Sequence, residues 1–198
     1  KTHKSILVHF STDYVFDGKK NIKYKPNHVP NPLNIYGKSK LIGERNILNS
    51  GCYFLILRIS WLMSVFGVNF IKTIIKKIYS GEELFVINDQ IGSPISSSLV
   101  SQITTEILLL DKYKNPKHIF HLSTKGKVSW YDIAVYIAKI LGAKAKDVKI
   151  NPINSSEFKT NVIRPQNSVF DHSEIEQAIE RTLPFWKDDI SSIIKKLI

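Results

Sequence analysis

Two stretches of the chain, residues 5–10 (SILVHF) and 53–60 (YFLILRIS), are apolar along almost their whole length. A strand with one wet face alternates apolar and polar residues, so runs like these belong to strands covered on both faces, as in a parallel sheet flanked by helices. The segments between and after them have helical spacing. In residues 35–49, Tyr36, Lys40, Gly43 and Ile47 fall on one stripe, which Leu41, Ile42 and Leu48 widen. Residues 69–80 (NFIKTIIKKIYS) put Phe70, Ile74, Ile75 and Ile78 on one face, and Gly81 follows in the position that closes a helix. A short strand over 84–87, a helix through Leu99, Ile103, Ile107 and Leu110, and a strand over 118–122 come next. Ser129 and Asp132 form a capping box before a helix that runs to Leu141, and the charged tail is helical with a break at Pro184. This alternation predicts an α/β fold, a mostly parallel sheet flanked by helices with a smaller C-terminal substrate-binding lobe. We expect the first unit over 1–90 and the lobe over 91–198.

Composition narrows the function classes. The 198 residues carry a net charge of +11, the usual footprint of nucleic-acid binding, but 24 Lys stand against only 4 Arg and the excess is spread along the chain. Arginine is the residue expected at bidentate phosphate and base contacts. The positive field instead suits an anionic small substrate, with no nucleic-acid partner. The single cysteine, Cys52, excludes an internal disulfide, no Cys/His group has zinc-site spacing, and no carboxylate cluster suggests a metal. No apolar run approaches the roughly 20 residues needed to cross a bilayer, so no membrane partner and a cytoplasmic location are expected.

The chemistry sits at the carboxyl ends of the two strong strands, where open α/β sheets bind ligands. The first ends in Ser11-Thr12-Asp13-Tyr14, and the second in Arg58-Ile59-Ser60-Trp61. Tyr36 and Lys40 are four residues apart on a helix and therefore share a face. An ammonium beside a phenol favours the phenolate, which would bring such a tyrosine within reach of acid–base work near neutral pH. The Thr12 hydroxyl can bond a substrate oxygen beside Tyr36, and Trp61 supplies an aromatic wall.

The ordered segments S-T-D-Y-V-F-D-G, P-L-N-I-Y-G-K-S-K-L-I-G-E, L-R-I-S-W, G-V-N-F, N-D-Q-I-G-S-P and R-P-Q-N-S resemble the dTDP-4-dehydrorhamnose reductase family of extended short-chain dehydrogenase/reductases. The resemblance runs from about Ile6 to Phe185. It implies reduction of the 4-keto group of a nucleotide-linked 4-keto-6-deoxy sugar by NADPH or NADH, with Tyr36 as proton donor. It further implies that Lys40 binds the nicotinamide ribose and tunes Tyr36, and that Thr12 polarises the carbonyl. Ser11 and Ser60 are expected on the cofactor side, and Tyr14, Trp61, Asn69 and Arg164 on the substrate side, Arg164 toward the diphosphate. Asp89, Gln90 and Asn167 also fall in matching motifs. The alternative is a non-catalytic binding or regulatory module similar to the methionine adenosyltransferase β subunit.

The nine glycines never fall in G-x-G-x-x-G or G-x-x-G-x-x-G spacing, the turn that holds a dinucleotide pyrophosphate. By resemblance the sequence corresponds to the C-terminal two thirds of such an enzyme, which implies an incomplete Rossmann-like parallel sheet flanked by helices. A bare sheet edge and an apolar helix-packing face are expected, and with them self-association or association with a segment that supplies the missing strands.

Overall fold

A computed structural model describes residues 5–198. Strand β1 (Ile6–Thr12) runs into a single 3-10 turn, Asp13–Val15, and a long connection leads to helix α1 (Ile35–Ser50) and strand β2 (Tyr53–Ile59). Next come β3 (Leu62–Met63), α2 (Phe70–Tyr79), β4 (Leu84–Ile87), β5 (Ile91–Gly92), β6 (Ile95–Ser96) and α3 (Ser97–Leu109). Strand β7 (Lys117–Leu122), β8 (Val128–Ser129), α4 (Trp130–Leu141), β9 (Ile150–Ile153), α5 (Ser173–Ala178) and α6 (Trp186–Leu197) complete the order.

The main sheet is parallel, in the order β1-β2-β7. Its register puts Thr12 opposite Ile59, and Ile59 opposite Leu122, so the carboxyl ends of all three strands finish at one level. The central strand β2 shows why its sequence is apolar throughout. Phe54 and Ile56 pack toward Ile47 of α1, while Leu55, Leu57 and Ile59 pack with Leu99, Ile103 and Ile107 of α3 on the other face. Strand β1 differs from the expectation of cover on both faces. It pairs only with β2 among the described residues, and Leu7 and Phe10 are 45% and 44% exposed.

A second core joins α2, β4, α4 and α6 through Ile71, Ile75, Leu84, Ile133, Ile137 and Ile190. Here β4 pairs in parallel with β9 in a sheet of its own. The two cores interleave along the chain. Helix α2 and β4 lie with the later helices, and α3, β7 and α5 return to the main sheet. The physical reason is pairing: the partner that completes β4 is β9, and the apolar face of α2 meets α4 rather than the main sheet. Strand β9 is missing from the sequence expectation because Pro152 sits within it, a residue tolerated only where a strand edge leaves its missing donor unneeded.

Candidate active site

Helix α1 begins at Asn34, whose side-chain oxygen accepts from the Gly37 N–H at 2.8 Å, and its first turn carries Tyr36. The Tyr36 ring is about half exposed and meets Tyr14 edge-on, with centroids 5.7 Å apart. Gly37 lets the helix come this close. A β-carbon there would sit 2.1 Å from the Tyr14 carbonyl oxygen, so no other residue fits without moving the helix. One turn on, Lys40 donates from Nζ to the Phe10 carbonyl of β1 at 2.6 Å. The phenol, the ammonium and the end of β1 therefore converge at the level where the parallel strands finish.

Beside them Thr12 Oγ1 accepts from the Tyr14 N–H at 3.2 Å and donates to Asp13 Oδ1 at 3.1 Å. Donation to a substrate oxygen thus requires Thr12 to turn away from Asp13. Asp13 is buried, and its Oδ2 has no hydrogen-bond partner among the described residues. Loss of solvent pushes its carboxyl up to about 6, while the Ser168 and Thr12 hydroxyls and, less strongly, the Arg164 guanidinium work in the opposite direction. Burial likewise raises the Tyr14 phenol, with Arg164 again opposing.

Beneath α1 lies a buried ion pair. Arg58 of β2 grips Glu44 of α1 from Nε at 2.9 Å and from Nη2 at 2.6 Å. The pair is 3% and 1% exposed, and a geometry of this quality is needed to offset the loss of hydration. Ser11 donates its hydroxyl to Glu44, and Arg58 Nη1 donates to the Pro26 carbonyl at 3.0 Å. His121 of β7 completes the group, with Nδ1 2.8 Å from the Tyr24 carbonyl and Nε2 3.3 Å from Arg58 Nη1. Burial and Arg58 hold its imidazole down to about 3, so it is neutral; Nδ1 donates to Tyr24 and Nε2 accepts from Arg58. The network ties α1 to all three strands.

A cavity of 560 Å³ opens beside this edge, lined among others by Phe70, Phe85, Trp130, Phe158 and Arg164. Trp130 in its wall stacks on Trp61 behind it, 3.7 Å apart at 12°, and Phe70 leans on Trp130. Trp61 reaches that position through a left-handed backbone, φ 48°, rare for a bulky residue. Gly92 makes room for it, since a β-carbon there would approach the indole to 2.5 Å.

The residues singled out in the sequence thus divide. Thr12, Tyr14, Tyr36 and Lys40 meet at the end of β1, and Arg164 is an exposed cation on the cavity rim. Ser11 instead serves the buried network, which its position on the α1 side of β1 dictates. Ser60 is fully enclosed, its hydroxyl without a partner among the described residues. Asn69 borders the cavity, but its amide caps α2 by accepting from Lys72 N–H and donates to the Ser64 carbonyl at 2.6 Å. Asp89 holds Ser155 by its backbone and hydroxyl, and Asn167 binds the Lys20 and Ile22 carbonyls. Sequence reasoning missed Trp130, visible only as the first residue of a capped helix, and Phe158, in a segment with no periodicity. It also missed Asp13 as a site group, although its place between Thr12 and Tyr14 was the available signal.

A reduced dinucleotide fits this edge in part. Tyr36 and Lys40 offer a hydroxyl and an ammonium suited to a nicotinamide ribose, whereas the glycine spacing for a pyrophosphate is not in the sequence.

Comparisons with known proteins point to one family. The dTDP-4-dehydrorhamnose reductase of Aggregatibacter actinomycetemcomitans is 36% identical over 198 residues, covering 96% of this chain and 67% of its own length. That of Sinorhizobium fredii is 32% identical over 196 residues, covering 97% and 66%. The crystal structure of dTDP-4-dehydrorhamnose reductase from Bacillus anthracis in complex with NADP superposes with a TM-score of 0.88 at 31% identity, covering 96% of this chain and 65% of that one. The chain spans about two thirds of the length of these relatives. A family model described as the RmlD substrate binding domain matches residues 1–198, and the chain belongs to that family.

Proposed function

We propose that this chain forms the catalytic and sugar-nucleotide-binding part of an NAD(P)H-dependent reductase acting on a nucleotide-linked 4-keto-6-deoxy sugar, dTDP-4-dehydrorhamnose by kinship. The observation that carries this is the convergence of Tyr36, Lys40 and Thr12 at the carboxyl end of β1, beside an aromatic-walled cavity with a cation on its rim. When bound, the reduced dinucleotide supplies hydride to the carbonyl carbon. Tyr36 gives its hydroxyl proton to the carbonyl oxygen as the C=O π bond becomes a C–O single bond, and regains a proton from water afterwards. Lys40, fixed by the Phe10 carbonyl one helical turn away, offers positive charge to the tyrosinate left behind. Thr12, released from Asp13, donates to the same oxygen. Trp130, backed by Trp61, presents a ring face against which a base or sugar can stack, and Arg164 attracts the diphosphate.

The test fuses the chain to the amino-terminal third of a relative and follows NADPH oxidation with dTDP-4-dehydrorhamnose. Tyr36→Phe is expected to lose at least about a hundredfold in kcat, the usual contribution of a positioned acid. Turnover that survives the substitution would refute Tyr36 as donor. A chain that binds neither NADPH when fused nor dTDP on its own would refute the assignment as a whole.

A further inference from the structure

Residues 156–165 form an arm that presents both Phe158 and Arg164 to the cavity. At one end Ser155 is held by Asp89, and at the other Gln166 is held by the Ile91 N–H. Between these anchors Glu157 and Phe158 make only turn hydrogen bonds to Asn154 and Ser155, and among the described residues a single hydrogen bond links the arm to a distant part of the chain: Asn34 Nδ2 donates to the Ile163 carbonyl at 2.8 Å. The same amide, through Oδ1, caps α1 at Gly37 N–H at 2.8 Å, one residue from Tyr36. The two ends of one planar group therefore bridge the helix with the proton donor and the arm with the cation, across 129 positions of sequence. An N-cap alone needs only an acceptor, and Asp or Ser serves as well as Asn. A carboxylate would keep the acceptor for the helix but lose the donor for the arm, and the Asn34 amide holds both.

We propose that Asn34 is a positioning residue that fixes the Arg164 arm to the start of α1, so that the diphosphate cation and the Tyr36 hydroxyl face the same substrate. This rests on the proposed function for its ligand, but not for its structural half.

Asn34→Asp separates the two roles, because it keeps the cap and replaces the donor with an acceptor that repels the Ile163 carbonyl. The melting temperature is expected to stay at the wild-type value, while hydrogen exchange over 156–164 accelerates at least tenfold and the amides of α1 keep their protection. Binding of dTDP, followed by calorimetry, is expected to weaken about tenfold in Asn34→Asp and in Arg164→Ala. The double variant should bind no more weakly than Arg164→Ala alone, since an unplaced arginine has nothing left to lose. Unchanged exchange in the arm overturns the proposal whether or not any nucleotide binds. Wild-type-like dTDP binding by Asn34→Asp, or strictly additive losses, overturns it as well. Wild-type chain that does not bind dTDP counts against the proposed function, and the exchange result then decides this inference by itself.

Discussion

Asp13 shows how one residue can trade stability for a site. Its carboxyl is buried beside Thr12 and Tyr14 with one oxygen unpartnered, and it titrates at about 6 in the folded protein against 3.8 as its ordinary value. The native state therefore binds the proton more tightly than the unfolded chain. Above pH 6 the ionised carboxylate weakens the fold, and the penalty fades as pH falls toward 3.8. Asp13→Asn should accordingly raise the unfolding free energy at pH 7.5 by on the order of 1–3 kcal/mol, with the gain gone below about pH 4. Urea titrations at the two pH values read this directly, and an equal effect at both would rule out the titration as the cause. The meeting of Thr12, Tyr14, Tyr36 and Lys40 was legible in the sequence because it depends on spacing and on strand ends. The roles of Ser11 and Asn69 were not, because a hydroxyl or an amide near a site looks the same whether it faces a ligand or a neighbouring backbone group.

At the scale of elements, α1 is the instructive case. Its limits were readable from the apolar spacing and from Ser50-Gly51, but its buried face is Gly37, Leu41, Glu44 and Ile47, while Ile42 and Leu48 lie 56% and 47% exposed. Hydropathy places a glutamate in water, and only Arg58, fourteen residues further on in β2, makes Glu44 an inside residue. Helix α2 was legible in extent and, apart from buried Ile71, in its face, because that face is purely apolar, with Ile74, Ile75 and Ile78 buried. The two α1 glycines should respond oppositely to alanine. At Gly43 the nearest atoms to an added β-carbon are those of the His9 ring at 3.7 Å, an ordinary contact, so Gly43→Ala should stabilise by about 0.5–1 kcal/mol through helix propensity. At Gly37 the Tyr14 carbonyl would be struck, so Gly37→Ala should destabilise by about 1 kcal/mol or more and impair turnover with it. Thermal melts of the two variants side by side provide the check, and the same sign for both would show that backbone propensity outweighs the clash.

Over the whole molecule, fold class and parallel sheet were legible from β2, whereas the division into cores was not. No local pattern tells β4 that its partner is β9, or α2 that it packs on α4. The acid response also belongs to this scale. His121, held neutral down to about 3 at the junction of α1, β2 and β7, binds its proton less readily folded than unfolded. Stability is therefore lost as pH falls from 6.5 toward 3, the reverse of the Asp13 effect in an overlapping range. His121→Gln should remove about 2 kcal/mol of the wild-type loss between pH 7 and pH 5, whereas Asp13→Asn should steepen it. Denaturant midpoints across that range would show the two slopes diverging, and parallel slopes would count against His121 as the acid-sensitive group. The Trp61 and Trp130 stack has a consequence of another kind. Two indoles 3.7 Å apart and nearly parallel are coupled oscillators, which give a paired positive and negative band in circular dichroism that depends on their mutual angle. The wall of the cavity is thus an optical gauge built from the chain's own residues, and a ligand that turns Trp130 by a few degrees announces itself without a label.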